Sequence, residues 1–134
     1  MRFAILGITC LALQLGFGQD FSSIQIEKAA GGLRFAQGPL WSRAPTDLLF
    51  CDVPSDQIFA HLPGKGTAKY REEMAGPSAI AYDKENHLVV AQTKARRIIR
   101  LYPGDEKKFD ILAERFEGKR LNAPNDLVIR KDGQ

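Results

Sequence analysis

Cysteine, histidine and tryptophan are scarce in this chain, with two, two and one among 134 residues, and each scarcity closes off a class of chemistry. Cys10 lies in an apolar N-terminal run and Cys51 stands alone after Leu48-Leu49-Phe50, so neither a disulfide framework nor a cysteine metal cluster is available. With no histidine near it in sequence, Cys51 reads as a small buried hydrophobe rather than a nucleophile. His61 and His87 have no partner at catalytic spacing and read as structural or solvated. His-Glu-x-x-His, Gly-x-Ser-x-Gly, Cys-x-x-Cys and phosphate-binding glycine loops are all absent. Beyond the first residues, no stretch carries apolar side chains at helical spacing over the ten or so positions a helix needs. Charge of one sign is lacking too. A net +3 with one dense basic run, Lys94-Ala95-Arg96-Arg97, and no aromatic interleaved with it excludes nucleic acid as a partner and reads as a solvated hairpin surface.

What is present begins with a leader. Arg2 supplies a positive start, Phe3 to Phe17 is almost wholly apolar or small, and Gly16-Phe17-Gly18 offers small residues where a signal peptidase reads. The expectation is a signal peptide over residues 1–18, a mature domain over 19–134, and a secreted or periplasmic protein. The apolar run is short for a bilayer span and has no stop-transfer flank, so no membrane association is expected after cleavage; a retained anchor is the alternative.

The rest of the chain reads as short strands divided by turns. Ile24-Gln25-Ile26-Glu27 alternates like a lead-in strand, and Leu33 to Trp41 resumes the alternation after Gly31-Gly32. Strands are then expected at Leu48–Val53, Gln57–Leu62 and Thr67–Tyr70, with turns at Pro54-Ser55-Asp56 and Pro63-Gly64-Lys65-Gly66. A second unit follows in the same order: Ser78–Tyr82, His87–Ala91, Arg97–Tyr102 and Lys108–Ala113. Glu114 to Lys119 is a polar connector, and a third unit opens at Leu127. Pro39, Pro77 and Pro124 head the units 38 and 47 residues apart, spacings that bracket a four-stranded propeller blade. The fold class is therefore all-β, a β-propeller of which the chain holds about two blades and the start of a third; a β-sandwich is the alternative. Two blades cannot close a ring. The chain is expected to be the N-terminal part of a longer propeller or to self-associate through its open edge.

The first strand of each blade lines a propeller's channel, so polar residues at the heads of those strands converge on one mouth. Gln37, Ser78 and Asn125 hold that place, with Asp126 beside the last. Oxygen-bearing side chains gathered in a ring suit a hard divalent cation such as calcium; a simple turn cap at Asn125-Asp126 is the plainer alternative.

Four stretches carry a family likeness: Phe35-Ala36-Gln37-Gly38-Pro39-Leu40-Trp41, Leu48 to Pro54, Arg96 to Arg100 and, most specifically, Glu117-Gly118-Lys119-Arg120-Leu121-Asn122-Ala123-Pro124-Asn125-Asp126-Leu127-Val128. From about Glu27 onward the sequence resembles the senescence-marker-protein (regucalcin)/gluconolactonase family. The resemblance implies a six-bladed propeller with one divalent metal at the channel mouth, calcium first with zinc or magnesium possible, and hydrolysis of sugar lactones. It places Asn125 and Gln37 among the metal-binding groups, and Asp126 and Ser78 as substrate contacts or supports. Gln37 departs from the family's glutamate and Ser78 from the asparagine common among lactonases; the remaining ligands and the base belong to later blades. The implied partner is a lactone or sugar acid. A lactonase-type hydrolase, inactive as this chain alone, is the first reading, and a non-catalytic ligand-binding or scaffold propeller the second.

Overall fold

The computed structural model describes residues 22–42 and 47–132; the leader, Cys10 and the loop at 43–46 lie outside them. Two four-stranded antiparallel sheets follow one another along the chain. The first contains β1 (Ala36–Trp41), β2 (Leu48–Asp52), β3 (Gln57–Leu62) and β4 (Gly66–Arg71), hydrogen-bonded in that order. The second repeats it with β5 (Pro77–Tyr82), β6 (Leu88–Gln92), β7 (Arg97–Tyr102) and β8 (Asp105–Ala113). Each is a propeller blade, in which sequence neighbours pair through short turns.

Side chains at alternate strand positions build the core between the blades. Leu49 and Cys51 on β2, Ile58 and Ala60 on β3, Ile80 on β5, Leu88 and Val90 on β6, and Ile99 and Leu101 on β7 form one buried cluster with Met74. Registered rows run across each sheet: Cys51 faces Ile58, while Val90 faces both Ile80 and Ile99. Side chains two apart on a strand share a face, so each row adds to a single apolar layer. On blade 1 the alternate residue, Phe50, stacks on Phe59 at 5.7 Å. Cys51 is fully buried, and burial pushes its thiol up to about 12, so almost no thiolate forms at neutral pH.

Buried polar groups tie the ends of the strands. Asp52 accepts the amides of Phe35 at 2.8 Å and Arg34 at 3.1 Å, and the Ser55 hydroxyl at 2.6 Å, which fixes the approach to β1. Pro54-Ser55 lies in a 3-10 turn, Val53–Ser55, closed by Asp56 at φ 60°. Asp56 bridges the blades: its carboxylate accepts Gly76 N at 2.6 Å and Lys94 Nζ at 2.8 Å, and its carbonyl accepts Met74 N at 2.9 Å.

Three local expectations fail, each for want of a partner or for an unforeseen one. Ile24–Glu27 is not a strand: no ladder partner lies beside it among the described residues, and Ile26 is 97% exposed. The connector at 114–119, with Arg120 just beyond it, forms a small hairpin, β9 (Arg115–Phe116) with β10 (Lys119–Arg120). Leu127–Ile129, where the third unit opens, runs without a ladder among the described residues and leaves Val128 86% exposed. A strand needs a neighbour to satisfy its backbone, whatever its side-chain pattern. The basic run also does more than face water. Lys94 spans the blades to Asp56, Arg96 Nε donates to Leu121 O at 2.6 Å, and Arg97 Nε donates to Gln92 Oε1 at 2.6 Å.

Candidate functional site at the heads of the first strands

Both first strands are irregular where they begin. In β1, Gln37 pairs with Cys51 but Leu40 pairs with Leu49, so Gly38 and Pro39 oppose the single residue Phe50. In β5, Pro77 pairs with Gln92 and Ala79 with Ala91, leaving Ser78 as the extra residue. These are β-bulges, and a bulge re-aims the side chains beside it. Proline favours the arrangement because it has no N–H to give the ladder. Gly38 adopts φ +60°, and a Cβ built there would come within 2.7 Å of Ser78 O and 3.0 Å of Ala79 Cα. The two bulges are therefore stacked backbone on backbone, and only glycine permits that approach.

The segment after β10 crosses this junction and is anchored by backbone acceptors. Pro124 O receives the Thr93 hydroxyl at 2.8 Å and the Ser78 hydroxyl at 2.9 Å, with Ala91 O a second acceptor for Ser78 at 3.2 Å. Arg96 holds Leu121 O, and Arg120 reaches back to Ala95 O at 2.7 Å. Fixed in this way, Asn125 arrives beside Gln37, whose Nε2 donates to Asn125 Oδ1 at 3.4 Å across 88 residues of sequence.

The sequence-derived residues thus fall into two kinds. Gln37 and Asn125 meet side chain to side chain, half-buried and exposed respectively. Ser78 is 2% exposed; its hydroxyl is committed to carbonyls and positions the Pro124 segment. Asp126 is exposed and accepts the amide of the next residue, Leu127, at 2.8 Å. Thr93 was not among the expected residues. It follows the end of β6, which antiparallel pairing sets beside the start of β5, so the residue after the partner strand was the signal to look for.

The donor chemistry at the mouth does not suit a divalent metal on its own. Gln37 and Asn125 offer neutral amides, Ser78 is turned away, and Asp126 binds its own backbone. Among the described residues, the group of acidic and histidine side chains close enough to share a cation lies elsewhere. Calcium affinity depends on ligand charge as well as oxygen count.

An acidic group that could hold a metal occurs instead at the other end of β5, where Asp83, Glu85 and His87 bring ligand atoms within 4.8 Å of one another. Asp83 Oδ1 already accepts the amides of Glu85 at 3.0 Å and His87 at 2.8 Å. Its Oδ2 lies 3.2 Å from His87 Nδ1 and 2.9 Å from Arg100 Nε. The guanidinium approaches as a charge rather than as an aligned hydrogen-bond donor. Burial pushes the Asp83 carboxyl up, but the His87 hydrogen bonds and the His87 and Arg100 charges outweigh it and hold it below the ordinary value. A cation here would have to displace an arginine, so the group serves as the lock of the β5–β6 turn.

The comparisons with known proteins bear on the family and the fold. The family described as SMP-30/Gluconolactonase/LRE-like region matches residues 35–134. A gluconolactonase of Zymomonas mobilis subsp. mobilis is 25% identical over 126 residues, covering 83% of this chain and 35% of that protein. A solved gluconolactonase of Xanthomonas campestris, important in glucose secondary metabolic pathways, superposes with a TM-score of 0.69 at 27% identity, over 75% of this chain and 33% of that one. A structural-genomics structure of a candidate gluconolactonase gives 0.71 at 27% identity, over 80% and 37%. The chain spans about a third of the length of these relatives.

Proposed function

Because the chain belongs to the SMP-30/gluconolactonase/LRE-like family, we propose that its two blades furnish one side of the channel mouth of a secreted or periplasmic hydrolase that opens sugar lactones. The observation that carries this reading is the meeting of Gln37 with Asn125, brought from opposite ends of the domain by stacked bulges and a doubly held carbonyl. Carboxamides at a mouth present N–H donors to a lactone carbonyl and to sugar hydroxyls, and a donor aimed at a developing oxyanion is the most valuable contribution a neutral side chain makes to acyl transfer. Asn125, exposed and held from behind by the Pro124 anchor, is the residue placed to do so. Lactone opening adds water across the ester: hydroxide character forms a new C–O bond, the ring oxygen leaves and takes a proton, and a hydroxy acid results. The general base belongs, on this reading, to blades beyond these two. A divalent cation, calcium by the oxygen-only donors, enters the reading only with carboxylates supplied from outside the described residues.

A second reading, a non-catalytic ligand-binding propeller, is favoured by one observation, the neutral Gln37 where the resemblance sets a glutamate. In a protein that carries the further blades this reading invokes, hydrolysis of glucono-δ-lactone, followed as acid release at constant pH, separates the two. The enzyme reading expects release above the spontaneous rate and a loss of about a hundredfold in kcat/KM for Asn125→Ala. Release at the spontaneous rate with saturable lactone binding would establish the binding module.

A further inference from the structure

Gln37 and Asn125 stand at a separation that two different chemistries produce. Neighbouring oxygens around one calcium ion lie about 3 Å apart, and a long amide hydrogen bond has the 3.4 Å observed here. Charge decides between them. Turning the Gln37 amide round would set its oxygen against Asn125 Oδ1, two acceptors facing each other. A cation between them would relieve that, but the described residues gather no group of three acidic or histidine ligands there to offset the cation's lost hydration. The mouth is also held together without any ion. Pro124 O takes two hydroxyl donors, and Leu121 O takes Arg96. These bonds hold the segment that carries Asn125 from the side of the second blade.

We infer that the Gln37 carboxamide takes the place of a cation in this chain, bridging blade 1 to the 121–126 segment so that the mouth assembles without divalent metal, and that residue 37 sets the cation affinity. The inference concerns assembly and does not rest on the lactone reading.

The test titrates calcium chloride into the metal-free chain by calorimetry and melts it with calcium and with EDTA. The unchanged chain is expected to show no saturable heat up to about 1 mM calcium, the weak end of protein calcium sites, and the same melting temperature in both buffers. Gln37→Glu is expected to bind calcium at least about tenfold more tightly, because a carboxylate replaces an amide, and to melt higher in calcium than in EDTA. Asn125→Asp adds the same charge from the facing side and carries the test should the first variant not fold. Sub-millimolar calcium binding by the unchanged chain would overturn the inference, and so would a carboxylate variant with unaltered calcium response. No lactone enters the measurement, so its outcome is separate from that of the proposed activity.

Discussion

Gly38→Ala is expected to destabilise the two-blade unit by about 3 kcal/mol, combining about 1 kcal/mol for a side chain at positive φ with the cost of overpacking. The second contribution is specific to this position. The new methyl would meet Ser78 O at 2.7 Å and Ala79 Cα at 3.0 Å, both backbone atoms of the neighbouring blade that cannot swing aside. Gly104→Ala supplies the control: its φ is +78° but nothing lies within 4 Å, so only the conformational cost of about 1 kcal/mol applies. Urea unfolding of the pair measures the difference. Equal losses would mean that the bulges are not stacked as described. The Gly38 variant should also weaken the Gln37–Asn125 contact, since separating the bulges moves one partner of that pair.

Asp52→Ala is the second large effect, expected to cost about 3 kcal/mol because the Arg34 and Phe35 amides and the Ser55 hydroxyl lose an ionised acceptor. The carboxylate is 2% exposed. Burial pushes its pKa up, but the Ser55, Phe35 and Arg34 hydrogen bonds outweigh that and hold it below the ordinary 3.8. The sign follows from linkage. With the folded pKa below the unfolded one, the unfolded chain binds the proton first as acid is added, so this contribution is complete above the unfolded value near 3.8 and is lost as pH falls through the lower folded value. Asp83 is lowered in the same direction and adds to the same acid limb. Denaturation from pH 6 down to pH 2 should therefore show stability falling below about pH 4, with a shallower fall in Asp52→Ala. An unchanged acid limb in the variant would show that Asp52 is not held ionised.

Much of this architecture was legible in the sequence because blades are built from local rules. Short apolar runs such as Leu48-Leu49-Phe50-Cys51 and Leu88-Val89-Val90-Ala91, with Pro-Gly or Asp-Asn turns between runs, specify hairpins that pair with their sequence neighbours. Both four-stranded sheets follow. The Gly-Pro marks at Gly38-Pro39 and Gly76-Pro77 pointed to the strand heads, although not to their bulges. What pattern could not show was partnership. Leu127–Ile129 has a strand's composition but no ladder among the described residues, and Ile24–Glu27 alternates without a surface to cover. At the site, spacing gathered Gln37, Ser78 and Asn125 at one mouth but could not tell a presented side chain from a committed one. Ser78 faces carbonyls because the bulge turns it inward, and Thr93 escaped notice because its relation to Pro124 depends on antiparallel register rather than on any motif.

The most direct measurement is a titration of isotope-labelled protein with D-gluconate, the hydrolytically inert acid of the lactone, followed through amide resonances. The side-chain NH2 signals of Gln37 and Asn125 and the backbone amides of Ser78 and Thr93 should shift together along one saturation curve, while the amides of Asp83, Glu85 and His87 at the other end of β5 stay in place. Shifts confined to that turn, or Gln37 and Asn125 following different curves, would contradict a shared mouth.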